Sequence, residues 1–461
     1  MKGFITGIGL SFCVAVASYG QAAQDTTQLL TFDEAVKIGL MNSVTLNQER
    51  NNLRASQVAK TSALASLGPS VSLNGSARRV DGNSFDQQQG RAVNGIRDNI
   101  SVSLDAEITL FQGFNSLYTL KQNAKLVDAQ AYFVKRTSQD VINTVSNQYL
   151  QVLLDLELYR IAKENFDVQD RQLEQIRGFV EAGSRAPVDE LNQEALTKAA
   201  ELVMVQAEIT LNNDKALLTQ SLLADPFDEF KVAKPSWDIN TISNVDLSPD
   251  HMLQTAKIHR ADYLRAERTE SARRYGMRAT QGVLMPRVYA FGSYGTAYNY
   301  VYGIPDSVRR NNEGINRPWR DQFQTDNIYK VYGVGINIPL FNGFQTRANV
   351  VQQRVNYENS QLATKNAEIQ LKTDIQRARR NFEGAQKSYV VSQDQLKAAE
   401  EAYRLEQERY NLGITNLVEY STANRAFVQA QTNFAQAEYR LLFQKIQVEY
   451  ALGTLKIEDF Q

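Results

Sequence analysis

The hydrophobic pattern is sharpest between Asn99 and Leu110. Ile100, Val102, Leu104, Ala106, Ile108 and Leu110 alternate with Asn99, Ser101, Ser103, Asp105, Glu107 and Thr109. A period of two predicts a strand with one apolar and one polar face. Its length matches the roughly 9–11 residues of a membrane-crossing strand, and carboxylates on the polar face suit a watery lumen. A partner strand begins after Pro69, where Val71, Leu73, Gly75 and Ala77 alternate with Ser70, Ser72, Asn74 and Ser76. A second hairpin follows the same plan. Its first strand starts after Pro286 and runs into Tyr294, Tyr298, Tyr300 and Tyr302. Its second puts Tyr332, Val334, Ile336, Ile338 and Leu340 outward, with Gly333 and Gly335 inward. Tyrosines crowded at strand ends resemble the aromatic girdle of a membrane barrel. Between the second pair of strands, about Gly303 to Asn327, a polar stretch with Arg309, Arg310 and Asn311 reads as an exposed loop.

The rest of the chain changes period. Neither Phe111–Ala182 nor Phe341–Leu412 contains a proline, although the chain holds nine, and both are rich in Ala, Gln, Leu, Lys, Glu and Asn. Such segments of about 70 residues predict helices roughly 105 Å long, which implies coiled-coil-like packing. Shorter helices are expected over Phe32–Leu67, Pro187–Ala224, Pro249–Leu284 and Leu417–Leu455. Placed end to end in pairs, they match one long strut, which predicts a cylinder of uniform height. In the helix after Pro187, the residues Leu191, Ala195, Leu196, Ala199, Ala200, Val203, Ala207 and Leu211 are expected to form the packing stripe.

This order of elements occurs twice. Ile108–Phe114 returns as Ile338–Phe344, Ala182-Gly183 as Leu412-Gly413, and Val188-Asp189 as Val418-Glu419, each at an offset of 230. Upstream, Leu67–Val71 returns as Leu284–Val288 at an offset of 217, so the second copy carries 13 extra residues between its strands. One loop insertion reconciles both registers, as a true duplication requires. The expected organisation is a first repeat over 23–224, with its hairpin at about 70–110 and its tip near Gly183. A connector over 225–248 holds Pro226, Pro235 and Trp237. The second repeat covers 249–461, with its hairpin at about 287–340 and its tip near Gly413.

Four strands cannot close a barrel, and an open sheet edge in lipid strands its backbone groups at several kcal/mol each. A barrel of about eight strands is filled by its own side chains, so a pore needs three or more chains. The expected assembly is a homotrimer set in outer-membrane lipid.

Composition narrows the chemistry. Net charge is −1 with 22% charged residues, so no basic field points to nucleic acid. Mean hydropathy is −0.40, and after the N-terminus no run nears the roughly 18 apolar residues of a membrane helix. Residues 1–22 read as a signal peptide: Lys2, an apolar run from Phe4 to Ala17, then Gly20-Gln21-Ala22 as cleavage site. Cys13, the single cysteine, lies inside it; Phe12 before it disfavours lipid attachment, and simple cleavage leaves no thiol. The two histidines, His251 and His259, lack metal-ligand spacing, no phosphate loop is present, and no two carboxylates form an isolated acid–base pair. No enzyme, cofactor or metal is expected.

Several segments together resemble the TolC family of outer-membrane efflux proteins, over almost the whole mature chain. They are Leu30–Val36 at the N-terminus, Leu110–Phe114 and Leu340–Phe344 at the strand exits, Arg409–Gly413 with Val418-Glu419 at a helical tip, and Ala451–Leu455 at the end. The resemblance implies a trimer with a twelve-stranded barrel in the outer membrane and a helical barrel across the periplasm. It implies an exit duct for efflux or type I secretion, working with a periplasmic adaptor and an inner-membrane transporter. It places Gly183, Arg185, Gly413, Asn416 and Leu417 at the tips that meet the adaptor, and Asp189, Tyr410 and Glu419 at a gate. Thr422 stands where relatives often carry a second acid. Bottom-up, Gly183 and Gly413 are helix stops and Glu419 is a helix-start acid favoured by the macrodipole. The competing reading is a coiled-coil structural protein of the envelope with no channel.

Overall fold

The computed structural model describes residues 28–86, 91–225, 230–234, 247–303, 309–310, 313–314 and 316–455. The expected signal peptide, Cys13, Pro226, Pro235, Trp237 and most of the connector lie outside the described residues, as does Asn311.

The first copy runs β1 (Gln28–Leu30), α1 (Phe32–Asn42), α2 (Val44–Ala65), β2 (Ser70–Asp86), β3 (Arg91–Gln112), α3 (Asn115–Glu181) and α4 (Pro187–Leu222). The connector contributes β4 (Phe230–Val232). The second copy runs α5 (Pro249–His259), α6 (Ala261–Gly282), β5 (Arg287–Val301), the short β6 (Arg309–Arg310) and β7 (Glu313–Gly314), α7 (Trp319–Asp321) with a π-helical turn over Gln322–Asp326, β8 (Tyr329–Asn337), α8 (Gln345–Asn411) and α9 (Leu417–Leu452). Corresponding helices have identical lengths. α1 and α5 have 11 residues, α2 and α6 22, α3 and α8 67, α4 and α9 36. At 1.5 Å per residue the long struts span about 100 Å.

The helix expected over Phe32–Leu67 is broken at Ser43, and its counterpart at Arg260. The reason is local hydrogen bonding. Thr31 and Glu34 form a reciprocal capping box at the start of α1. Ser43 then caps a new helix by accepting from Leu46 N–H at 3.2 Å. In the second copy Arg260, only 2% exposed, leaves helical geometry to pair with Asp262 (2.7 Å) and Asp374 (2.8 Å), and donates to the Ala451 carbonyl.

Four strands form one antiparallel sheet in the order β2-β3-β5-β8. Register aligns Leu73, Leu104, Tyr294 and Lys330 across it. The apolar face carries Val71, Leu73, Tyr332, Val334 and Ile336, all more than half exposed. On the other face, the rings of Tyr289 and Phe291 lie over Gly335 and Gly333, where a Cβ would collide with them. The loop expected to be merely exposed folds back in part. Asn316 both accepts from Val301 N–H and donates to its carbonyl, and Gln322 does the same with Asn299. Two side-chain amides thus stand in for a strand along the edge of β5 beyond the start of β8, a role composition alone does not reveal.

Each long helix starts from a left-handed pair, Gly113-Phe114 (φ 54° and 61°) and Gly343-Phe344 (φ 64° and 62°). At Gly113 no other residue fits, because a Cβ would stand 2.4 Å from the Gly282 carbonyl. The main core gathers midway along the helices, where Leu30, Val36, Leu40, Ile142, Tyr149 and Leu218 pack together. There β1 pairs in parallel with β4, and the Tyr149 hydroxyl lies 3.0 Å from the Leu30 carbonyl and 2.7 Å from that of Ala233. We call this region the collar.

The expected packing stripe of α4 holds only in part. Ala200 and Leu211 are buried, together with Gln193 and Thr197 from outside it, while Leu191 is 65% and Val203 53% exposed. Gln193 donates to the Gln169 side chain (2.8 Å), and the Thr197 hydroxyl bonds the Gln169 backbone carbonyl (3.1 Å). The contact with α3 therefore includes an amide lock, and the part of the apolar stripe that carries Leu191 and Val203 faces away from its own chain. Among the described residues no helix is long and apolar enough to cross a membrane.

Candidate functional site: the helix tips

The two hairpin tips share one backbone. Gly183 and Gly413 both have φ 72°, and each lets the chain leave a 67-residue helix and enter a 36-residue one within five residues. Ser184 N–H bonds back to the Phe179 carbonyl and Ile414 N–H to that of Arg409, the matching turn closures.

Their side chains differ. At the second tip Asn416 caps α9, its Oδ1 accepting from Val418 and Glu419 N–H at 3.0 Å each. The Thr415 hydroxyl donates to the Glu419 carboxylate at 2.6 Å. Glu419 thus does sit as a helix-start acid, and its side chain is exposed. At the first tip Ala186 supplies no side-chain cap; Pro187 begins α4, and Asp189 N–H bonds the Ala186 carbonyl. Arg177 on α3 pairs with Glu190 at 3.2 Å and Glu194 at 4.0 Å.

An aromatic stack joins the two tips. The Arg185 guanidinium lies 5.0 Å from the Tyr410 ring centroid. Tyr410 stacks on Tyr420 at 4.9 Å and 18°. The Tyr420 and Tyr403 hydroxyls are 3.2 Å apart, and Tyr403 stacks on Phe427 at 5.2 Å and 5°. Ile176 of α3, fully buried, and Leu417 complete the cluster. Burial pushes the Tyr420 phenol well above the usual tyrosine range, so it stays neutral. Of the residues singled out from sequence, the fold brings together Arg185, Tyr410 and Leu417. Asp189, Asn416 and Glu419 belong to helix starts beside the stack. Tyr403, Tyr420, Phe427 and Ile176 escaped sequence reading. The signal for three of them was present: Tyr403 and Tyr410, and Tyr420 and Phe427, each recur at seven residues, one coiled-coil repeat.

A second correction concerns carboxylates. Asp155 on α3 and Asp214 on α4, far apart in sequence, come within hydrogen-bonding reach. Asp155 is 3% exposed; Gln151 donates to its Oδ1 at 3.1 Å, and its Oδ2 has no donor in the ionised form. Burial and the facing Asp214 carboxyl push Asp155 up to about 7. Among the described residues no group of three or more His, Cys, Asp or Glu is placed to hold a metal ion.

A profile of the outer membrane efflux protein family matches residues 37–222 and 252–454. No curated protein sequence matches. Among solved structures, the outer membrane protein VceC of Vibrio cholerae is similar at a TM-score of 0.77 and 14% identity, over 92% of this chain and 96% of that one. The CmeC outer membrane channel of Campylobacter jejuni gives 0.77 and 14%, over 92% and 85%. The open state of the MtrE outer membrane channel of Neisseria gonorrhoeae gives 0.72 and 17%, over 92% and 89%.

Proposed function

This chain belongs to the outer membrane efflux protein family, and from that premise we propose that it is a homotrimeric exit duct whose periplasmic mouth is controlled by the Arg185–Tyr410 contact. Membership makes it an outer-membrane efflux channel, with its helices extending into the periplasm. The observation that carries the trimer is the sheet. It has four strands, an apolar outer face, and edges β2 and β8 that each pair on one side only among the described residues. Lipid tolerates no unpaired edge, and three copies give the twelve strands that enclose water. The outward-facing Leu191 and Val203 of α4 support the same association along the stem.

In this duct the tips form the mouth. Gly183, Arg185, Gly413, Asn416 and Leu417 present the surface for a periplasmic adaptor, itself joined to an inner-membrane transporter. Asp189, Tyr410 and Glu419 line the gate, and Glu419, exposed in the single chain, forms a cation-attracting ring when three chains meet. The duct carries out no reaction of its own; its work is passage.

Planar-bilayer recording on the detergent-purified protein, with its mass by light scattering, tests this reading. A three-chain particle with small conductance is expected, and Tyr410→Ala should raise that conductance several-fold. A monomeric particle without conductance overturns the duct in favour of an envelope coiled-coil protein. Glu419→Ala should abolish block of the channel by added divalent cations; unchanged block removes the ring.

A further inference from the structure

The face of the sheet that carries Asp105 and Glu107 has two characters. Along β2 and β3 it is polar, with Ser70 opposite Glu107, Ser72 opposite Asp105 and Asn74 opposite Ser103. Along β5 and β8, three rungs set a ring opposite a glycine: Tyr289 with Gly335, Phe291 with Gly333, and Tyr329 with Gly295. A Cβ at any of these glycines would stand 2.4 to 3.0 Å from the ring it faces, so each ring lies down across the sheet. A ring laid flat turns one π face to the backbone and the other to the space beyond. Phe291 is 37% exposed there.

Two of these rings stand in the same relation to a carboxylate of β3. Tyr289 comes two residues before Phe291, the partner of Glu107; Phe291 comes two residues before Ser293, the partner of Asp105. The first arrangement holds a cation. Arg287 pairs with Glu107, and its guanidinium lies 5.0 Å from the Tyr289 ring centroid. In the second, the place of Arg287 is taken by Tyr289, and among the described residues no cation pairs with Asp105. The Asp105 carboxylate accepts instead from three neutral donors, Ser293 (2.5 Å), Ser103 (2.7 Å) and Asn74 (2.8 Å), which fix its position beside the ring.

We propose that Asp105 and Phe291 bind an organic cation with a planar head, an amidinium or guanidinium, in the way that Glu107 and Tyr289 bind Arg287. The head donates to the Asp105 carboxylate and its plane rests on the exposed ring of Phe291. Val331, opposite Ser293 and 48% exposed, gives the body of the ligand an apolar contact. A bare divalent metal is disfavoured, since hard cations gather six or more oxygen ligands and Asp105 is one carboxylate already shared among three donors. In the trimeric duct this face lines the lumen and the three copies set three such sites around the passage; that placement alone rests on the reading above.

Equilibrium dialysis of labelled benzamidinium against the detergent-purified full chain, with neutral benzamide as the isosteric control, tests the site. One benzamidinium per chain is expected, bound about five- to tenfold more tightly than benzamide. Asp105→Asn keeps the shape and should erase that preference. Phe291→Leu should weaken both probes. Arg287→Ala frees Glu107 and Tyr289 for the same chemistry and should raise the benzamidinium bound to two per chain. Equal binding of the two probes overturns the proposal, as does a preference that survives Asp105→Asn, an affinity untouched by Phe291→Leu, or a single site in the Arg287→Ala protein. A monomeric particle without conductance that still prefers benzamidinium would instead strike the duct and leave the site standing.

Discussion

The two tips began as copies of one segment and still share their backbone to within a degree at Gly183 and Gly413. Yet their side-chain anchors differ. The second tip carries its own cap in Asn416 and its own hydroxyl–carboxylate bond from Thr415 to Glu419. The first has Ala186 at the capping position, is tied by the Ser184 hydroxyl to the Phe179 carbonyl and by Arg177 to Glu190, and meets the second through Arg185 over Tyr410. Duplication preserves what the backbone requires, a left-handed residue at each reversal. Side chains are free to diverge, so two differently anchored tips arise from one template.

Five substitutions break or sharpen this contrast, read as opening free energies from hydrogen exchange at the tips. The largest effect is expected for Tyr420→Ala. It removes a buried ring between Tyr403 and Tyr410 and should cost about 3–5 kcal/mol, with both tips losing protection together. Protection lost at the second tip alone would show that the stack does not couple them. Next, Gly183→Ala and Gly413→Ala should each cost about 1–2 kcal/mol, since each forces a side chain into left-handed geometry in open space. Unequal costs would mean the shared backbone is not under equal constraint. Asn416→Ala should cost about 1 kcal/mol, confined to the start of α9; an equal loss in α4 would contradict a self-contained second tip. The smallest effect belongs to Arg185→Ala, about 0.5–1 kcal/mol, and it should appear at the first tip only. No change there would remove the dependence on Tyr410.

Legibility followed the range of the forces involved. The strand from Asn99 to Leu110 was readable because alternation is a property of neighbours, and β3 continues past a bulge between Thr109 and Phe111 to Gln112. The long helices were readable because 67 residues without proline leave few alternatives. The break at Ser43 was not, since a serine caps a helix only if the chain turns there. The α4 stripe misled because apolar spacing says which face seeks cover and not what covers it; Gln193 and Thr197 found Gln169 inside the chain, leaving Leu191 and Val203 outside. At the tips the glycines and the helix-start acid were legible. The stack of Tyr403, Tyr410, Tyr420 and Phe427 was half visible in its heptad spacing.

By itself the sequence determined the duplication, the two hairpins and the equal struts. These follow from periodicity and composition, which are local facts. Only the tertiary structure decided that Arg185 meets Tyr410, that amides lock α4 to α3, and that Asp155 faces Asp214 across 59 residues of chain. Those contacts depend on how two long helices are rotated about their axes. Side-chain packing along their whole length sets that rotation, and no short stretch of residues records it.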